Sequence, residues 1–216
     1  MKYILYNVVK TLGRPVYKIL YRPRYYNVDN IPNEGPVVLA GNHTNNLDAA
    51  MMVGSPNRMV HMIAKKELFK SKLGNWFFRS MGCIPVDRSI HDEKCKSEAL
   101  EHLKNGGAIG LFPEGTVNKT KGTDHEEYLL PFKYGAVSFA KKTAAYLVPF
   151  AINGEYKLFR KSIKITYGKP YKVTKDLEPE NEILRNKVYK LMKEGDKEYE
   201  QRDKRSKRKN NRIPMV

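Results

Sequence analysis

Val37-Val38-Leu39-Ala40-Gly41-Asn42-His43-Thr44-Asn45-Asn46-Leu47-Asp48 is the stretch that sets the fold. The apolar run Val37–Ala40 has the length and β-branched content of a buried strand, so His43 stands where a strand ends. Thr44, Asn45 and Asn46 are small polar residues able to turn the chain and cap a helix, and Leu47–Met52 reads as that helix's start. Asp48 falls in the first helical turn. A carboxylate five residues beyond a histidine, across a tight strand-to-helix turn, folds back to accept the Nδ1 proton and leaves Nε2 free as a base. This is half of a hydrolytic triad, with no nucleophile beside it. A histidine at a strand end also has purely structural uses, so the reading turns on two later stretches.

Gly82-Cys83-Ile84-Pro85-Val86-Asp87-Arg88 is a short strand that delivers an arginine to its carboxyl end. Phe112-Pro113-Glu114-Gly115-Thr116 follows a further apolar strand, Ala108–Leu111. Three strands thus finish in polar residues suited to one site, and open α/β sheets bind ligands outside the carboxyl ends of their strands. Strands are also expected at 58–64, at 146–152 and, late and at a sheet edge, at 163–173. Helices are expected at 90–105, after Ala136 and at 180–200. The alternation predicts an α/β protein: a single domain with a mixed, mostly parallel central sheet flanked by helices, plus an N-terminal amphipathic helical segment. Three parts follow: a membrane-association segment at 1–26, the main domain at 27–200 and a basic tail at 201–216.

His43-x4-Asp48, the stretch ending at Arg88, Phe112–Thr116 and Val148-Pro149-Phe150 resemble the four ordered blocks of the glycerolipid acyltransferases, most nearly the bacterial 1-acylglycerol-3-phosphate acyltransferases. The likeness covers about residues 35 to 155. Four blocks in the family's order carry far more weight than one. The resemblance implies that His43 is the general base, oriented by Asp48, and that the acceptor hydroxyl attacks an acyl thioester directly. It implies a phosphate site at Arg88 and an acceptor site at Glu114, Gly115 and Thr116, with Asn42 and Lys133 counted among the substrate-binding residues. Glu114 is expected to meet a glycerol hydroxyl or to hold basic neighbours, and the Gly115 N–H to face the ligand. The implied donor is acyl-CoA or an acyl carrier protein, the acceptor is lysophosphatidate-like, with another lysophospholipid or glycerol 3-phosphate as the alternative, the product with lysophosphatidate is phosphatidic acid, and no cofactor is expected. Many family members carry arginine where Val117 stands, so one phosphate contact moves to Lys119, Lys121 or, preferably, Lys133.

The chain has 216 residues, net charge +17 and a pI near 9.7, which calls for an anionic partner: phospholipid, nucleic acid or an acidic carrier. The tail from Gln201 to Arg212 holds +6 of that charge and leaves +11 elsewhere. A basic nucleic-acid-binding protein is the competing class, although no recognition pattern for it is present. Cys83 and Cys95 lack metal-ligand spacing with the histidines, so no metal site is expected. Cys83 is the one candidate for a covalent acyl-enzyme. No run of 18 apolar residues and no cleavable leader is seen. Residues 1–21 place apolar side chains at helical spacing against Lys10, Arg14 and Lys18, with a break expected at Gly13-Arg14-Pro15. The nearby tyrosines suit lipid headgroups, and packing of this helix on its own domain is an equal alternative. The expected location is peripheral or monotopic, on the cytoplasmic face of the cell membrane.

Overall fold

The computed structural model describes residues 4–54, 56–119, 129–160 and 163–210, with side chains for all of these except 4, 5, 14 and 198–210. Eight strands form one sheet: β1 Arg24–Tyr26, β2 Val37–Gly41, β3 Val60–Lys65, β4 Ile84–Val86, β5 Ala108–Leu111, β6 Tyr146–Asn153, β7 Lys164–Tyr167 and β8 Tyr171–Lys172. Their order is β1-β7-β6-β2-β5-β3-β4, with β8 also on β6. Every pairing is parallel except those of β6 with β7 and β8. The helices are α1 Ile4–Val8, α2 Arg14–Leu20, α3 Asp48–Gly54, α4 Lys72–Ser80, α5 Glu93–Lys104, α6 Gly135–Thr143 and α7 Leu177–Asn210.

The inner strands β2, β5, β6 and β7 are buried because both sheet faces are covered. Successive residues of β2 point to opposite sides, as a pleated strand requires. Val38 and Ala40 meet Ala99 and Leu103 of α5, Ala136, Val137 and Ala140 of α6, and Leu184 and Val188 of α7. Val37 and Leu39 meet Tyr6, Ile31 and the α3 residues Met51, Met52 and Val53. Such two-sided burial explains why β2 and β6 read as continuous apolar runs rather than as alternating ones.

The connection after β2 runs through α3 on one face, whereas the connection after β5 runs through α6 on the other. The chain leaves these neighbouring strands in opposite directions. That arrangement is a topological switch point, and open α/β sheets take their ligands outside the carboxyl ends of the strands at such a point.

The structure revises three expectations. Residues 163–173 make two strands, and β7 is interior because β1 covers its outer side. Arg24–Tyr26 therefore belongs to the sheet, so the sheet begins before residue 27. Of the tyrosines suited to headgroups, two serve the alternative, packing of the segment on its own domain: the buried Tyr6 hydroxyl accepts from Val60 N–H at 3.3 Å, and Tyr25 donates to the Met51 carbonyl at 3.2 Å. The last helix runs to Asn210, so residues 201–210 continue it. The break near Pro15 takes the form of a π-turn, Val9–Gly13, with Pro15 in the first turn of α2, where its missing N–H costs nothing.

Gly41 closes β2 against β6 so tightly that a Cβ there would land on the Phe150 carbonyl oxygen and 2.5 Å from its ring. Gly41→Ala should therefore destabilise by about 1–3 kcal/mol, the usual cost of overpacking. Thermal melting several degrees lower checks this.

Candidate active site

The His43–Asp48 pair forms across the turn from β2 into α3. His43 Nδ1 lies 2.9 Å from Asp48 Oδ2, and the same oxygen accepts from Thr44 N–H at 2.6 Å and Asn45 N–H at 2.8 Å. A carboxylate acceptor fixes Nδ1 as the protonated nitrogen. Nε2 makes no hydrogen bond to any described residue, and the side chain keeps about 10% of its surface open. Asp48 is fully buried. An isolated buried carboxylate would be prohibitive, and these donors are what allow it.

Further partners came from distant parts of the chain. Tyr156, past the end of β6, donates to Asp48 Oδ1 at 2.5 Å. Burial first, then the Asp48 charge, push the Tyr156 phenol up, so it stays a donor. Phe112 stacks on the imidazole with ring centroids 4.0 Å apart and planes 9° from parallel. These residues carry no signal in sequence: Tyr156 lies 108 positions from Asp48, and Phe112 lies 69 positions from His43.

Glu114 does a different job from the expected one. Its Oε1 accepts the His43 backbone N–H at 2.8 Å, and its Oε2 accepts Asn118 Nδ2 and Leu130 N–H, each at 3.0 Å. Asn118 N–H in turn donates to the His43 carbonyl at 2.7 Å. Both carboxylate oxygens thus engage in holding His43, Asn118 and Leu130 together. Burial pushes the Glu114 carboxyl upward, while the three N–H donors pull it back down. Asn42 is likewise a brace: its amide donates to the Ile152 carbonyl at 2.9 Å and accepts Ile152 N–H at 2.8 Å, extending the β2–β6 ladder by one side-chain rung.

Gly115 adopts φ +73°, and its N–H turns back to the Phe112 carbonyl at 3.0 Å rather than outward. The Lys133 side chain lies 3.0 Å from where a Gly115 Cβ would stand, so glycine here admits the lysine. Thr116 and Lys133 are exposed, and the Lys133 ammonium has no hydrogen bond or ion pair to a described residue. Arg88 is exposed too. Its neighbour Asp87 is taken by Lys66 and Ser89, which hold the Asp87 carboxyl down to about 2, so Arg88 has no ion-pair partner among the described residues.

All these groups stand at the carboxyl ends of parallel strands. Arg88, however, follows β4, with β3 and β5 between it and β2. Three strand spacings set those ends about 14 Å apart. Lys133, packed over the turn after the adjacent β5, is the nearer cation. Lys121 lies outside the described residues. A cavity of about 460 Å³ lined by Arg79, Cys83, Lys94, Glu98 and His102 involves none of His43, Asp48, Arg88, Glu114 and Lys133. Burial pushes the Cys83 thiol up to about 12, which leaves almost no thiolate at neutral pH and removes the basis for covalent catalysis there.

Glu114→Gln should lower stability by about 1–3 kcal/mol, because an amide cannot accept on both sides and its NH₂ would face N–H donors. The same change should reduce activity by loosening His43. Denaturant unfolding beside a turnover assay checks both effects.

Comparison with known proteins accords with this geometry. Residues 22–153 match the sequence model of the acyltransferase family. A 1-acyl-sn-glycerol-3-phosphate acyltransferase of Bacillus subtilis (strain 168) is 32% identical over 152 residues, covering 68% of this chain and 72% of that protein. One from Borreliella burgdorferi is 28% identical over 142 residues, 65% of this chain and 54% of its own length. The crystal structure of the 1-acyl-sn-glycerophosphate acyltransferase of Thermotoga maritima shares the fold, with a TM-score of 0.68 at 23% identity over 88% of this chain and 78% of that one. With the matched segment spanning most of the sheet, the histidine–aspartate turn and the Phe-Pro-Glu-Gly-Thr turn, the chain belongs to the acyltransferase family.

Proposed function

We propose that this acyltransferase moves a fatty acyl group from an acyl thioester to the free hydroxyl of 1-acylglycerol-3-phosphate, giving phosphatidic acid. The observation that carries the reading is the buried Asp48 holding His43 Nδ1, with Nε2 left over for a substrate proton. The names of the relatives supply the acceptor. In this mechanism Nε2 takes the hydroxyl proton as that oxygen attacks the thioester carbonyl. Asp48 stabilises the imidazolium that forms, and the tetrahedral adduct collapses by expelling the thiolate, which recovers the proton from Nε2. No enzyme nucleophile is required. Acyl-CoA and an acyl carrier protein both fit as donors, since both are acidic and the chain is strongly basic.

Lys133 and Arg88 are the two candidates for the acceptor phosphate. Each is exposed and lacks a described anionic partner, and Lys133 stands nearer to His43. Arg88, with its planar fork, suits a phosphate further along the same sheet end.

The lipid partner has its own support. Val8, Leu12, Val16 and Ile19 form an exposed apolar stripe on the N-terminal helices, with Leu12 66% and Ile19 61% accessible. Beside α1, the helix α4 exposes Leu73 and Trp76 at 73% and 58%. Scattered single apolar residues need no explanation, but two neighbouring helices with apolar outer faces and flanking lysines suit a headgroup layer. No described helix is long and apolar enough to cross a membrane. The nucleic-acid reading allowed by charge alone gains nothing from this fold.

With detergent-dispersed lysophosphatidate and either donor, His43→Ala should cut kcat by at least about a hundredfold with the fold intact. Lys133→Ala and Arg88→Ala should chiefly raise the acceptor KM, by about tenfold for a lost charge-assisted contact. Full activity in His43→Ala, or transfer to lysophosphatidylcholine and not to lysophosphatidate, would refute the assignment. In vesicle flotation, Leu12→Asp with Trp76→Asp should release the chain from anionic liposomes without lowering its melting temperature.

A further inference from the structure

We propose that Tyr156 is a positioning residue for the His43–Asp48 pair, and that the N-terminal helical segment sets its place through Tyr21. Four well-formed hydrogen bonds converge on the Asp48 carboxylate, three of them on Oδ2 from its own turn. Oδ1 is left to Tyr156 at 2.5 Å, the Thr44 hydroxyl being 3.5 Å away. The one strong ligand of that oxygen among the described residues therefore comes from the far end of the domain.

Tyr156 sits on a short loop that the N-terminal segment grips at two points. The Tyr21 ring meets the Tyr156 ring edge-on with centroids 5.7 Å apart, and Phe159 N–H donates to the Leu20 carbonyl. Tyr21 caps the end of α2, the helix that carries Val16 and Ile19 outward. Tyr25 adds a third tie, from β1 to the Met51 carbonyl within α3. The path from the exposed apolar stripe to the imidazole is thus α2, Tyr21, Tyr156, Asp48, His43, each step a direct contact.

A phenol that donates to Asp48 draws charge toward Oδ1 and weakens the carboxylate's hold on an imidazolium. Removing the donor strengthens that hold. The groups that enter this balance are Asp48, Tyr21 and Tyr25 around Tyr156, and Asp48 with Glu114 around His43. Displacing α2 would act in the same direction as removing the hydroxyl, so seating of the helices would tune the base.

The test reads the pH midpoint of the His43 ring's carbon-bound proton by NMR in the full chain, with the resonance assigned through His43→Gln. Relative to the unaltered protein, Tyr156→Phe should raise the midpoint by about 0.5–1 pH unit, roughly three- to tenfold in proton affinity. Tyr21→Leu should raise it by less. Incorporating 3-fluorotyrosine at position 156, a more acidic donor, should lower it, and this arm decides the matter if the phenylalanine variant does not fold. The acid limb of the kcat–pH profile should move with each midpoint. Unmoved midpoints in natively melting Tyr156 variants overturn the proposal, and a shift with Tyr156→Phe but none with Tyr21→Leu overturns the link to the helix. The kinetic arm rests on the proposed acyl transfer, whereas the NMR arm does not. Shifted midpoints without transfer to lysophosphatidate would refute the function alone, and transfer with unshifted midpoints would refute this inference alone.

Discussion

A single negative charge, withdrawn completely from water at Asp48, is the constraint from which the arrangement of the site follows. Such a charge survives only if donors surround it, and these are supplied by three different pieces of backbone architecture: the tight turn after β2, the imidazole at its start and the phenol beyond β6. Each donor is held in place by something else. The turn is held because Asn42 continues the β2–β6 ladder, the imidazole because Phe112 lies flat against it, and the His43 backbone because Glu114 and Asn118 clamp its N–H and carbonyl. A base positioned in this way costs no reorganisation when the reaction begins.

The sheet contributes location. Because the chain leaves β2 and β5 toward opposite faces, the His43 turn and the Glu114 turn meet at the switch point, where Glu114 and Asn118 hydrogen-bond to the His43 backbone. The two carboxylates there share a chemistry but differ in use. Asp48 addresses the reactive ring, whereas Glu114 addresses only backbone and an amide. What separates them is the set of hydrogen bonds reaching each, not their residue type.

Much of this was legible in the residues. Val37–Ala40 announced a strand by its branched apolar side chains, and the spacing from His43 to Asp48 fixed a contact that the turn then closes at 2.9 Å. The terminal strands were harder. Arg24–Tyr26 is three half-buried residues with an arginine and two tyrosines, too short and too mixed for a period of two to register, and its partner β7 was consequently misplaced at an edge. The contacts of Asn42 with Ile152, of Glu114 with His43 and of Tyr156 with Asp48 join residues 71 to 110 positions apart, and no local pattern encodes those encounters. Composition was ambiguous for a different reason: a basic surface attracts phosphate in any molecule, so charge narrowed the partner to an anion and no further.

The pairing of β2 with β6 matches Val37 to Tyr146 and Gly41 to Phe150 in parallel register. During synthesis, the central strand must wait for more than a hundred further residues before its second neighbour emerges. Until then one margin of β2 is an unsatisfied row of amides and carbonyls, an adhesive template of the kind that chaperones shield. Assembly is correspondingly non-local, which places this chain among slow folders for its size.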